Sequence, residues 1–217
     1  MKNMSVRPDF SRYLAHFTKD TSTYFYESDN PANNVKFLSP LEKLINILKT
    51  KKIFATSMPW TNCRAVCFTE CPWSSLIDHT QKYSPYGIGF DKGFIFSRNG
   101  GPAYYVRVDH YNEQEANGGW SQHVKPFVTL FWPSYRPQSL EERIRFGRVC
   151  DYSHEREWRV PHDLPFLYSD VKFVILNSFE DMEVIPQELV RDIGSKKFIF
   201  MDNYRHVEKL WPVHIMK

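Results

Sequence analysis

Apolar residues in this chain of 217 fall in short runs that do not alternate with helices in the manner of a parallel βαβ protein. Strands are predicted over 13–18, 53–56, 65–70, 86–90, 102–108, 155–160, 172–176 and 197–201. One helix is written plainly. Ser39 stands as N-cap, Pro40 at the first helical position and Glu42 closes a capping box. Leu41, Leu44, Ile45 and Leu48 then follow at helical spacing to about residue 50. Further helices are predicted from Ser74 or Ser75 to Tyr83, over Ser139–Val149, and from near Asn203 to Pro212. Residues 110–137, with Gly118-Gly119, several prolines and no clean period, read as an insertion. The pattern predicts an α+β fold, a single domain over 1–217, with a mainly antiparallel or mixed sheet.

Aromatic residues make up 16% of the chain, which excludes a disordered class. Glycine is scarce, at 9, and there is no GxxxxGK[ST]. Gly87-x-Gly89 is followed by Gly93, one residue too late for a dinucleotide fingerprint, so Rossmann and P-loop readings are set aside. No apolar run reaches the roughly 18 residues that a spanning helix needs. The N-terminal stretch lacks the apolar core of a signal peptide, so a cytoplasmic protein is expected, with no membrane partner. Net charge is +3, which permits contact with nucleic acid without requiring it.

Cys63, Cys67 and Cys71 are spaced C-x3-C-x3-C, a partial match to zinc-ligand spacing, and Cys150 stands apart. On a strand through Ala65-Val66-Cys67-Phe68 only two of the three share a face. Reduced thiols and no metal are therefore expected.

The hexapeptide Glu155-Arg156-Glu157-Trp158-Arg159-Val160 carries the most chemistry. Read as a strand, it puts Glu155, Glu157 and Arg159 on one face and Arg156, Trp158 and Val160 on the other. Two carboxylates beside an arginine form either a solvated face laced with ion pairs or a polar site. Paired carboxylates suit cleavage of a glycosidic bond, including the N-glycosidic bond of nicotinamide riboside, because its transition state is cationic. His16, mid-strand in Ala15-His16-Phe17-Thr18, reads as a core histidine or as a neutral imidazole for a ligand ribose, with Thr18 on the same face. Tyr86, Ile88 and Phe90 share a face that is either core or a stacking surface, and Gly87 and Gly89 leave room for close approach. His79 reads as a helix-surface histidine. Arg143, Arg145 and Arg148 are diluted by Glu141 and Glu142.

The motifs HFT (16–18), AVCFTE-P (65–72), Leu76-x2-His79, YGIGF-K (86–92), GGP-A-YV (100–106) and EREWR (155–159) together resemble the AbiGi-type abortive phage-infection family over residues 12–165. Members are described as antitoxins, which implies a role in phage defence and a cognate toxin or antitoxin protein as partner. More distantly, the order of a first-strand histidine, a central aromatic strand and a late E-x-E is similar to the ADP-ribosyltransferases, including DarT-like toxins. That similarity implies a split sheet with NAD as substrate. His16 would contact the NAD ribose, Tyr86 would be the aromatic, Glu157 the catalytic glutamate and Glu155 the preceding acid. Arg64 stands near a DarT-like arginine, and no Ser-Thr-Ser motif is present. The acceptor implied is a nucleic acid (RNA or DNA) or a protein. Three readings follow: an NAD-dependent ADP-ribosyltransferase, a non-enzymatic antitoxin-like partner, and a nucleic-acid-binding domain or nuclease.

Overall fold

The computed structural model describes residues 11–19, 38–70, 83–132, 151 and 153–210. The helices expected at 74–83 and 139–149, together with His79, Cys71, Cys150 and the arginines 143, 145 and 148, lie outside the described residues except for Tyr83.

The architecture is mixed α+β, built on several small sheets with no closed barrel. Strands β1 (Tyr13–Phe17), β5 (Gly87–Asp91), β11 (Val171–Leu176) and β12 (Phe198–Phe200) form one four-stranded sheet in the order β1-β5-β11-β12. A second sheet has the order β3-β4-β9-β6, from Thr56–Ser57, Arg64–Phe68, Trp158–Val160 and Gly101–Pro102. Two pairs complete the set: β2 (Lys52–Ile53) with β10 (Leu164–Pro165), and β7 (Tyr104–Arg107) with β8 (Val128–Phe131). Pairing is antiparallel except for β11 with β12 and β7 with β8.

The capping box forms as the sequence dictates. Helix α1 (Pro40–Thr50) starts on Ser39, whose hydroxyl accepts from the Glu42 amide at 3.3 Å while Glu42 accepts from the Ser39 amide at 2.7 Å. Leu44 and Leu48 are fully buried in the main core, with Leu14, Phe68, Ile88, Phe90, Val160 and Val174 from both large sheets. Short α2 (Lys92–Ser97) follows β5 directly, and α4 (Glu180–Val184), α5 (Gln187–Ile193) and α6 (Met201–Leu210) gather near the end. The sequence reading had no helix over α4 and α5.

The described part of 110–137 carries regular structure. Helix α3 (Val108–Ala116) connects the parallel strands β7 and β8, and this βαβ unit has its own core of Val108, Tyr111, Val128, Leu130 and Trp132. Several predicted strands are also shorter or split: 53–56 divides between β2 and β3, and 102–108 between β6 and β7. The largest correction concerns 155–160. Residues Ser153–Glu155 form a 3-10 turn, Arg156 takes a positive φ of 45°, and the strand begins at Trp158. The left-handed backbone at Arg156 breaks the two-residue alternation, so Glu155 does not hold the strand position that a continuous run would give it.

Candidate functional site where β1 meets β4

Two backbone hydrogen bonds between Ala15 and Thr69, at 3.0 and 2.8 Å, bridge the two large sheets. Next to this bridge the His16 ring reaches from β1 to β4. Its Nδ1 donates to the Cys67 carbonyl at 2.8 Å, and its ring meets Phe68 edge-on at 5.8 Å between centroids. Because a carbonyl only accepts, this bond assigns the proton to Nδ1 and leaves Nε2 as the acceptor. Burial pulls the imidazole below its ordinary pKa, and the bond to Cys67 opposes part of that shift.

The acids gather on the other face of β4. Val66 and Phe68 point into the main core, so the Cys67 side chain, between them, points away from it. Cys67 is in register with Arg159 of β9. The Glu157 carboxylate binds Arg159 through both oxygens, at 2.9 Å to Nε and 2.8 Å to Nη2, and also hydrogen-bonds the Cys67 thiol. Burial first, then the Glu157 charge, pushes that thiol well up. Arg159 Nη1 donates to the carbonyls of Pro126 and Val128, at 3.0 and 2.9 Å, which ties the βαβ unit to the cluster. Although burial works against its charge, the Glu157 carboxylate beside it holds the Arg159 pKa up.

Glu155 is buried at 8% exposure. Its carboxylate accepts from the Tyr83 hydroxyl at 3.0 and 3.1 Å, and its carbonyl accepts from the Thr69 hydroxyl. Burial and then the Glu155 charge raise the Tyr83 phenol. Tyr105 reaches the same cluster, accepting from the Glu157 amide at 3.4 Å, and burial pushes its phenol up to about 12. Nearby, Glu70 pairs with Lys92 at 2.6 Å and accepts from the Trp158 indole at 3.3 Å.

The structure therefore brings His16, Glu155 and Glu157 to the same short stretch of β4, but not to one face. His16 and Phe68 lie on the core side; Cys67, Glu157 and Arg159 lie on the other. Thr18 stands apart from the acids as well. Its hydroxyl donates to the Pro40 carbonyl at 2.9 Å and contacts Ser84. Tyr86 donates to Asp181 at 3.3 Å, and burial and then the Asp181 charge push its phenol up to about 12. Arg64, at the far end of β4, donates to Asp163 at 2.9 Å and to the Ala55 carbonyl at 3.1 Å. Sequence reasoning missed Tyr83, which meets the Glu155 carboxylate, and Tyr105, which meets the Glu157 amide, because no local pattern marks a tyrosine whose hydroxyl meets a glutamate more than 50 residues away. Among the described residues no group of His, Cys, Asp or Glu is placed to hold a metal ion.

Residues 36–179, well over half of the chain, match the family described as "Putative abortive phage resistance protein AbiGi, antitoxin". The chain belongs to the AbiGi family. The AbiGi match takes in α1, β4, β9 and both acids, and starts after His16 and Thr18. No curated protein and no solved structure matches the chain. Membership implies a role in phage defence, on the side that the AbiGi description calls antitoxin. No helix among the described residues is long and apolar enough to cross a membrane.

Proposed function

We propose that this chain acts in phage defence as an antitoxin that binds a cognate toxin protein, by docking rather than by catalysis. Besides the family description, one observation supports this reading: the acidic pair is built into a hydrogen-bonded network. Glu157 gives both oxygens to a buried guanidinium, and Glu155 gives both to one tyrosine hydroxyl. A carboxylate that stabilises a glycosyl cation must instead be aimed at the ligand. The histidine offered for the ribose lies on the other face of the sheet. Co-expression with the product of the adjacent gene tests the reading. A complex that co-purifies and relieves growth arrest, and that forms equally well with Glu157→Gln, is the expected result. An absence of complex, or a chain that arrests growth by itself, counts against it.

A second reading, ADP-ribosyl transfer from NAD, is favoured by the place of His16 at the junction of the two large sheets. The Nε2 acceptor there suits a ribose hydroxyl, and Cys67 links the two groups, holding His16 on its carbonyl and Glu157 on its thiol. Glu157 would orient the ribose and stabilise the cation, and the acceptor would be a nucleic acid or a protein. Incubation with labelled NAD and lysate decides it: label transferred by wild type and lost in Glu157→Gln supports transfer, and equal or no label refutes it.

A further inference from the structure

We propose that the lysine-rich face around Tyr168 binds the phosphate backbone of a nucleic acid. This inference is independent of the crease between β1 and β4. Two short basic segments far apart in sequence meet there: Lys49, Lys51 and Lys52 at the end of α1, and Lys196 and Lys197 in the 3-10 turn Ser195–Lys197. Tyr168 joins them. Its hydroxyl donates to the Leu48 carbonyl at 3.0 Å, its own carbonyl accepts from Lys197 Nζ at 3.0 Å, and its ring carries the Lys51 ammonium 4.4 Å from the centroid. Lys52 Nζ lies 5.3 Å from the Phe54 centroid. Lys49, Lys51 and Lys196 are exposed.

None of the five lysines is in an ion pair with a described residue. Two acids share this face and are outnumbered by the lysines: Asp170 accepts from the Leu167 amide at 2.8 Å, and Asp192 pairs with Arg191 at 3.2 Å. Burial and then the Asp192 charge raise the Tyr168 phenol. Lysines at a helix C-terminus complement the helix dipole, which accounts for Lys49 but not for Lys196 and Lys197. An excess of ammonium groups that pair with no described acid, in two clusters joined by a tyrosine, suits a line of phosphates. A lipid surface fits less well. A membrane-binding helix turns an apolar face outward, whereas α1 buries Leu44 and Leu48 in the core, and among the described residues Leu167, 63% exposed, is the one large exposed hydrophobic beside Tyr168.

Fluorescence anisotropy with a labelled single-stranded RNA of about 20 nucleotides tests the proposal. Affinity should fall steeply between about 50 and 200 mM salt. The triple variant K49Q/K51Q/K196Q should bind about tenfold or more weakly, with a log–log salt slope shallower by about 2, the value for three phosphates on a single strand. The variant K49R/K51R/K196R should bind like wild type, and matching circular dichroism and Tm establish that all three proteins fold alike. Glu157→Gln should keep full RNA affinity, which separates this test from that of the crease. Absence of RNA binding by wild type, unchanged binding by the glutamine variant, or binding to phosphatidylserine vesicles instead of RNA overturns the proposal.

Discussion

Arg159 grips both oxygens of the Glu157 carboxylate, and the pair is almost closed to water, with the side chains 3% and 13% exposed. Removing one partner of such a pair strands the other's charge. Arg159→Met should destabilise the fold by about 3–5 kcal/mol, because it also leaves the Pro126 and Val128 carbonyls without a donor. Glu157→Gln keeps an acceptor and should cost less, about 2 kcal/mol. Urea denaturation reads both. Equal stability of Arg159→Met and wild type would show that the pair does not hold the βαβ unit to the body.

The capping box at Ser39 makes a smaller claim. Ser39→Ala removes the acceptor for the Glu42 amide and should cost about 1 kcal/mol, lowering Tm by a few degrees. Ser39→Asp should restore most of that loss, since aspartate caps as well as serine. A Tm unmoved by alanine would mean that tertiary packing alone fixes the start of α1.

Gly89 sits under the ring of Phe173 on the neighbouring strand β11. A Cβ there would overlap that ring. Gly89→Ala should destabilise by about 1–3 kcal/mol through overpacking. The double variant Gly89→Ala with Phe173→Leu should recover part of the loss, and simple additivity of the two would argue against the contact.

His16 gives the chain a pH dependence of known sign. Its folded pKa lies below the ordinary 6.5, chiefly through burial. As pH falls past 6.5, the unfolded chain takes up a proton on this imidazole before the folded chain does. The unfolded state then binds more protons, so stability rises with pH across that window and falls as pH drops below it. His16→Gln, which keeps a donor for the Cys67 carbonyl, should flatten the slope between about pH 5 and 7. Urea midpoints for both proteins at the two pH values measure this, and parallel slopes would refute it.

What the sequence disclosed follows from the range of the interactions. The start of α1 was legible because Ser39, Pro40 and Glu42 act within one helical turn. Strands β1, β5 and β11 were legible because their runs are apolar and bounded. Glu155 was misplaced because the left-handed backbone of Arg156 carries no compositional mark, and its neighbours read as an unbroken strand. Helix α3 left no clean period in the sequence, since it is polar on most positions and gains its stability from packing on β7 and β8. The face on which His16 lies relative to Glu157 was beyond reach. It depends on Ala15 pairing with Thr69 and Cys67 with Arg159, contacts that span more than 50 and more than 90 positions.

Among the described residues, β1 and the end of β4 pair backbone to backbone at a single point, Ala15 with Thr69; the His16 bond to the Cys67 carbonyl and side-chain packing make up the rest of that boundary. The exchange of those two amides with deuterium therefore reports docking of the sheets rather than the integrity of either one. A bound protein that clamps the boundary should slow both amides together, and a mutation that loosens the shared core should speed both while the centres of β5 and β11 stay protected.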